Sequence, residues 1–244
     1  MSYHIFSHFY DKVMDQSVYN DWLSFVQLHH EENKTLEIME LACGTGIIAV
    51  QLAKQGHAVT GVDLSSEMLA LANERMINED VKIMLVESDM RELEVLGQYD
   101  LVTCFSDSLC YLTDELDLAR VFENVYHNLK EDGLFLFDVH SLYQMNEVFP
   151  GYQYIYQDEE GAFLWESYAL DEPDSVEHVL TFFVPQENGL FEQLQEVHEE
   201  RSFPLEVYKQ LLRQVGFRDV QVTADFGEET LDETTPRWFF TCKK

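Results

Sequence analysis

The stretch Glu40-Leu41-Ala42-Cys43-Gly44-Thr45-Gly46 decides how this chain is read. An apolar run, Leu36 to Leu41, leads into it, and a helical pattern, Ile47 to Gln55, leaves it. Strand, glycine turn and helix start, in that order, make a corner that receives an anion or a polar ligand. Gly44 and Gly46 lack Cβ, which permits tight dihedrals and close approach of a ligand to the backbone. The helix that follows directs unpaired N–H groups and the positive end of its dipole at that ligand. A plain βα turn that needs glycine only for geometry is the competing reading of these seven residues.

Downstream, apolar strands alternate with helical patterns, which predicts a parallel sheet with crossover helices. The expected strands are Leu36 to Leu41, Ala58 to Val62, Lys82 to Val86, Tyr99 to Phe105 and Leu134 to Phe137. Ser66 is expected to cap the second helix and Asp114 the helix before the fifth strand. After His140 the pattern changes to four successive strands, Tyr152 to Tyr156, Phe163 to Leu170, Val176 to Val184 and Leu190 to Phe203. Turn signals separate them, so an antiparallel sheet inserted over 141–203 is predicted. Residues 1–140 and 204–244 then form one α/β core with an N-terminal helical cover. Its last segment is a helix after Pro204 and two strands, Phe217 to Thr223 and Arg237 to Thr241.

Ligands of open parallel sheets bind outside the carboxyl ends of the strands. Polar groups gather there: the glycine turn, Asp63 after the second strand, Asp89-Met90 after the third, and Phe105 to Ser108 after the fourth. A carboxylate at Asp63 suits the two hydroxyls of a ribose, and Asp89 with an apolar neighbour suits an adenine. Together they outline a pocket for an adenosine joined to a small charged group.

These motifs resemble the class I S-adenosylmethionine-dependent methyltransferases, and the resemblance covers most of the chain. Glu40 to Gly46 is similar to the family's first motif, with Ala42 standing where the family usually has Gly. Asp63-Leu64-Ser65-Ser66-Glu67-Met68 resembles the ribose-binding acid and the helix after it. Asp89-Met90 resembles the adenine-side pair, and Phe105-Ser106-Asp107-Ser108 the fourth-strand motif. Phe9-Tyr10-Asp11 and the inserted strands are similar to a bacterial subgroup of small-molecule methyltransferases whose acceptors are largely unassigned. The resemblance implies a Rossmann-like seven-stranded sheet, order 3-2-1-4-5-7-6, with the last strand antiparallel. It also implies S-adenosyl-L-methionine as cofactor, held by Glu40, Ala42, Cys43, Gly44, Gly46, Asp63, Leu64, Met68, Asp89, Met90 and Phe105.

Residues 1–30 carry Phe6, Phe9, Tyr10, Val13, Tyr19, Trp22, Leu23, Phe25 and Val26 at helical spacings. Two amphipathic helices follow from this. They either pack on the sheet or form a lid with Tyr10 and Trp22 facing the cofactor. His29-His30-Glu31-Glu32 is not expected to bind metal, because neighbours on a helix face different ways. No metal is expected elsewhere. Methyl transfer from a sulfonium relies mainly on alignment and exclusion of water. His140, ending the fifth strand, is the best-placed base if one is needed. Asp107, Tyr111 and Trp165 are candidate substrate contacts.

Composition narrows the partners. The chain has 46 acidic against 15 basic residues among its 244, a formal net charge of -31. So acidic a surface repels phosphate backbones and anionic membranes, which excludes nucleic acid and membrane as expected partners. The runs Asp158 to Glu160, Asp171 to Asp174, Glu192 to Glu200 and Asp225 to Glu233 read as a solvated face, or as an attractor of a cationic acceptor. No apolar run approaches the ~20 residues of a membrane helix. Four cysteines without C-x-x-C spacing suggest reduced thiols in a cytoplasmic protein. The acceptor is expected to be a small molecule methylated on N or O, and a homodimer is one option.

Two other functions remain open at this point. Gly44-Thr45-Gly46-Ile47-Ile48-Ala49 satisfies G-x-G-x-x-A, and Tyr126-x-x-x-Lys130 mimics a catalytic pair, so an NAD-dependent dehydrogenase competes. A cofactor-binding protein without catalysis is the alternative from another class.

Overall fold

The computed structural model describes residues 16–31, 34–158, 161–186 and 188–244. The first expected helix, with Phe9, Tyr10 and Asp11, lies outside the described residues, as does Glu32. The second is α1, Gln16–Gln27. The core then runs β1 (Glu37–Leu41), α2 (Ile47–Lys54), β2 (Ala58–Asp63), α3 (Ser66–Asn78), β3 (Ile83–Glu87), β4 (Tyr99–Cys104), α4 (Glu115–Asn128) and β5 (Leu129–His140). β6 (Gln153–Asp158), β7 (Gly161–Ala169), β8 (Ser175–Pro185) and β9 (Phe191–Arg201) follow. The chain ends in α5 (Leu205–Val215), β10 (Arg218–Thr223) and β11 (Arg237–Lys243).

The large sheet has seven strands in the order β10-β11-β5-β4-β1-β2-β3. β1 to β5 pair in parallel, while β11 runs antiparallel to both β5 and β10. This is the expected 3-2-1-4-5-7-6 order, with β10 and β11 in the sixth and seventh places. Alternate residues of the central strands feed two cores, as strand geometry requires. Ile38, Leu101, Leu136 and Phe239 pack under Trp22, Phe25 and Val26 of α1 and Ile48 and Leu52 of α2. Met39, Val102, Phe135, Phe137 and Phe240 pack under Leu118, Phe122 and Val125 of α4 and Tyr208 and Leu212 of α5. Burial on both faces explains why these strands read as near-continuous apolar runs.

Two local expectations change. Ser65, not Ser66, caps α3, accepting a hydrogen bond from the Met68 N–H at 3.2 Å; Ser66 is the first helical residue. β5 begins at Leu129 rather than after Gly133. Asp132 is left-handed (φ 63°), and the pairing with β4 jumps from Tyr99↔Leu129 to Leu101↔Leu134. Gly133 thus lies inside a bulged strand.

β6, β7, β8 and β9 form a separate antiparallel sheet in sequence order. Phe163, Leu180 and Phe182 make its small core, and Met145, Phe149 and Val176 anchor it beside the end of β5. His29 engages Phe25 O through Nδ1 and Thr241 Oγ1 through Nε2, so both ring nitrogens serve packing. No helix among the described residues is long and apolar enough to cross a membrane.

Candidate cofactor and acceptor site

A cavity of about 670 Å³ opens between the carboxyl ends of β1, β2, β4 and β5 and the inner face of the second sheet. One end is built by the glycine turn. Ala42, Gly44 and Gly46 all take positive φ, at 56°, 52° and 73°. A Cβ on Gly44 would meet nothing within 4 Å, so this position opens into the cavity. A Cβ on Gly46 would lie 2.9 Å from Ala72 Cβ, so this glycine lets α3 approach the turn.

Asp63 ends β2 beside the turn. Its Oδ2 accepts from the Gly44 N–H at 2.7 Å and its Oδ1 from the Ser65 N–H at 2.9 Å. Burial raises its pKa, against the lowering by these N–H bonds. Each oxygen keeps a lone pair for a further donor. Leu64, Met68, Asp89 and Met90 line the same end. Arg91 lies there too and forks onto Asp89, with Nη2 at 2.6 Å from Oδ2 and Nε at 3.0 Å from Oδ1. That guanidinium holds the Asp89 carboxyl below its usual range.

The other end is organised by Asp138, fully buried on β5. Its carboxylate accepts from the Ser106 N–H (3.0 Å), the Asp107 N–H (3.2 Å), the Trp22 indole (3.1 Å) and the Arg237 guanidinium. The first two bonds hold Ser106 and Asp107 in left-handed conformations, φ 57° and 50°, a strained turn of the kind found at functional sites. Asp107 thereby presents its side chain to the cavity, with Oδ1 2.6 Å from Arg237 Nη2 and Oδ2 3.4 Å from His140 Nε2. Burial raises the Asp107 carboxyl, and Arg237 and His140 more than reverse this, holding it below the usual carboxylate range. Burial likewise raises Asp138, which Arg237 counters incompletely.

The second sheet closes this end. His178 and Leu180 of β8, His198 and Glu200 of β9, and Phe163 and Trp165 of β7 line the cavity, with Tyr152 and Tyr154. Tyr111 reaches His198 Nδ1 at 3.3 Å. Glu196, His198 and Glu200 are buried, whereas Val197 between them is 45% exposed. The acidic run Glu192 to Glu200, read above as a solvated face or an attractor of a cation, is divided by the strand period, and half of β9 turns charge inward.

Several expected cofactor contacts lie behind the cavity wall instead of in it. Trp22 is 1% exposed and spends its N–H on Asp138. Phe105 stacks on Trp22 with ring centroids 6.2 Å apart. Glu40, Cys43 and Gly46 are buried beneath the turn, where Glu40 receives the Ala49 N–H and Cys43 N–H donates to Val62 O. They shape the turn from below. The expected Ala42, Gly44, Asp63, Leu64, Met68, Asp89, Met90, Asp107, Tyr111, His140 and Trp165 all line the cavity.

The sequence reading missed Arg91, His178, His198, Glu200 and Arg237. Arg237 carried a signal, a scarce cation opening an apolar strand of an acidic chain. Glu196-x-His198-x-Glu200 carried another, polar groups at the buried period of a strand. Arg75 was also missed: its Nε donates to Thr45 O at 3.0 Å, which places a cation by the outer carbonyl of the glycine turn. Lys130 pairs with Glu37 (2.6 Å) and Asp100 (3.0 Å) at the amino ends of β1 and β4. That is the sheet edge opposite Asp63 and His140, so the Tyr126/Lys130 pair is remote from the cavity.

The chain's relatives agree with this geometry. A family described as a methyltransferase domain matches residues 38–133. A protein of Geobacillus sp. (strain WCH70), named as a methyltransferase, is 43% identical over 247 residues, covering 100% of each chain. The glycine/sarcosine N-methyltransferase of Aphanothece halophytica is 28% identical over 220 residues, 88% of this chain and 78% of its own. The crystal structure of an S-adenosylmethionine-dependent methyltransferase from Clostridium acetobutylicum ATCC 824 matches with TM-score 0.86 and 30% identity, covering 99% of this chain and 98% of that one. Neither the dehydrogenase nor the non-catalytic alternative finds support among them. Similarity over the full length places the chain in the S-adenosylmethionine-dependent methyltransferase family.

Proposed function

We propose that this protein moves the methyl group of S-adenosylmethionine to nitrogen or oxygen of a small polar molecule held between the seven-stranded sheet and the second sheet. The observation that carries this is Asp63, whose carboxylate is fixed by Gly44 and Ser65 at one end of a cavity that has His140 at the other.

In this reading Asp63 takes the ribose hydroxyls, and the Gly44 opening admits the cofactor chain. Leu64, Met68 and Met90 pack on the adenosine, with Asp89 at its polar edge. The cofactor supplies an electrophilic methyl group; the protein supplies position and dryness. Residues 141–203 act as the acceptor-side cover. Asp107, Tyr111 and Trp165 contact the acceptor, and His140 is the group within reach of its proton. Four buried free cysteines suit a reducing, cytoplasmic setting, and the acidic surface suits a small acceptor over nucleic acid or a membrane.

Calorimetry with S-adenosylmethionine tests the cofactor half. Wild type binds, and Asp63→Ala loses about tenfold or more, the loss of one charge-assisted hydrogen bond. No affinity in either protein removes the reading. Transfer of labelled methyl to a metabolite panel tests the catalytic half, and a protein that binds cofactor but labels nothing is a binder only.

A further inference from the structure

Glu200 is the unexplained charge of this cavity. It comes from β9, is 4% exposed, and its Oε2 has no hydrogen-bond partner among the described residues. Two imidazole nitrogens face that oxygen, His178 Nε2 at 3.7 Å and His140 Nε2 at 3.9 Å. A buried carboxylate so placed costs stability unless something cationic completes it.

The tautomer of His178 follows from its neighbours. Its Nδ1 lies 3.1 Å from Trp165 Nε1 and 2.7 Å from Ser167 Oγ. An indole nitrogen only donates, so His178 Nδ1 accepts and a neutral ring carries its proton on Nε2, facing Glu200. His178 therefore positions Glu200. His140 differs, because its Nε2 sits between Asp107 (3.4 Å) and Glu200 (3.9 Å). Beside these groups stand the rings of Trp165 and Tyr152, 5.4 Å apart and nearly perpendicular.

We infer that the acceptor is a small primary or secondary amine that enters as its ammonium ion, seated on Glu200 against the aromatic wall. This deepens the methyltransferase reading of the same cavity and rests on it. Charged nitrogen has no lone pair to attack with. Its N–H bond breaks and the proton passes to Nε2 of His140, which in that form carries its own proton on Nδ1 and leaves Asp107 to Arg237. The pair left on nitrogen then forms the N–C bond to the methyl carbon, as the C–S bond breaks and its pair stays on sulfur. The methylated nitrogen carries the positive charge that the sulfonium loses.

Asp107, His140 and Glu200 also stand close enough to ligate a divalent cation, their ligand atoms lying within 4.8 Å of one another. An ammonium fits better. Asp107 already carries Arg237 at 2.6 Å, and the His178 N–H faces Glu200, so a dication would meet two positive edges. The aromatic wall favours an organic cation, where a hard dication wants more oxygens.

The test uses the full chain with S-adenosylhomocysteine present and two isosteric probes, cyclohexylamine and cyclohexanol, followed by calorimetry. The amine binds wild type, and Glu200→Gln weakens it by about tenfold or more while cyclohexanol is unaffected. Equal binding of the two probes, or indifference of the amine to Glu200→Gln, overturns the proposal. So does amine binding that appears only with added MnCl2. Circular dichroism shows whether Glu200→Gln folds, and Glu200→Asp is the second variant, expected to retain more amine affinity than Gln. In turnover, labelled methyl appears on amines and not on matched alcohols, and His140→Asn lowers kcat more than it raises KM. Alcohols labelled in preference to amines overturn it. S-adenosylmethionine affinity is measured separately on each protein. Its loss in wild type would defeat the methyltransferase reading, and its retention alongside absent amine binding would defeat this one alone.

Discussion

The indole nitrogen of Trp22 lies 3.1 Å from Oδ1 of Asp138, a carboxylate 116 positions further along the chain. This bond ties α1 to the carboxyl-terminal part of β5. The same oxygen holds the Ser106 N–H, so a helix outside the sheet helps set the turn that presents Asp107. Trp22→Phe keeps the ring and removes the donor. It should cost about 1–3 kcal/mol in urea unfolding, the desolvation of a buried acceptor left short of a partner. An unchanged midpoint would show that the bond contributes nothing.

Arg237 joins the half-buried Asp107 to the fully buried Asp138, and is itself about a quarter exposed. Arg237→Met leaves both carboxylates facing each other without a cation. The expected loss is about 3 kcal/mol, larger than for removal of an exposed pair such as Lys54–Glu79. Comparing Arg237→Met with Lys54→Met by chemical denaturation checks the ranking, and equal losses would refute it.

The glycine turn gives two opposite expectations. Gly46→Ala places a Cβ 2.9 Å from Ala72 Cβ at a φ of 73°, and should destabilise by about 1–3 kcal/mol. Ala42→Gly relieves a left-handed residue at φ 56° and should stabilise by about 0.5–1 kcal/mol after the added chain entropy. Thermal melts of the two variants should move in opposite directions.

Glu40 gives a pH signature. Burial pushes its carboxyl well above the ordinary value near 4.5, opposed by the Ala49 N–H and helped by the Asp63 charge. The folded state therefore holds the proton more tightly than the unfolded chain. Stability from this group is greatest below the ordinary value and declines as pH rises from there toward the folded pKa. Glu40→Gln removes that decline. Its melting temperature should gain on wild type as pH rises above the ordinary carboxylate range, and a constant gap would contradict the assignment.

The proposed cofactor end was legible because its parts are local. Gly44 follows β1 directly, Asp63 ends β2, and Asp89 follows β3. Strand and helix periods alone bring such residues to one edge of a parallel sheet. The acceptor end was not. Helical spacing leaves Trp22 open between packing on the sheet and a lid, because it shows that a face is apolar, not what it meets. Its actual partner is a strand residue on β5. Glu200 sits in a run of acids that read either as a solvated face or as an attractor of a cation, and composition does not say which alternate residues of a strand turn inward. Arg91 was masked by reading Asp89 alone, although the two fork together within one turn.

The chain's order of strands, its glycine turn and the acids that end β2 and β3 are properties of neighbouring residues, so the sequence carried the fold and the cofactor with it. Which histidine faces which carboxylate is different. His140, His178 and Glu200 come from β5, β8 and β9 and meet only when the second sheet lies over the first. Side-chain contacts of 3–4 Å between distant strands depend on register and on the seat of one sheet upon another, quantities that no local pattern encodes.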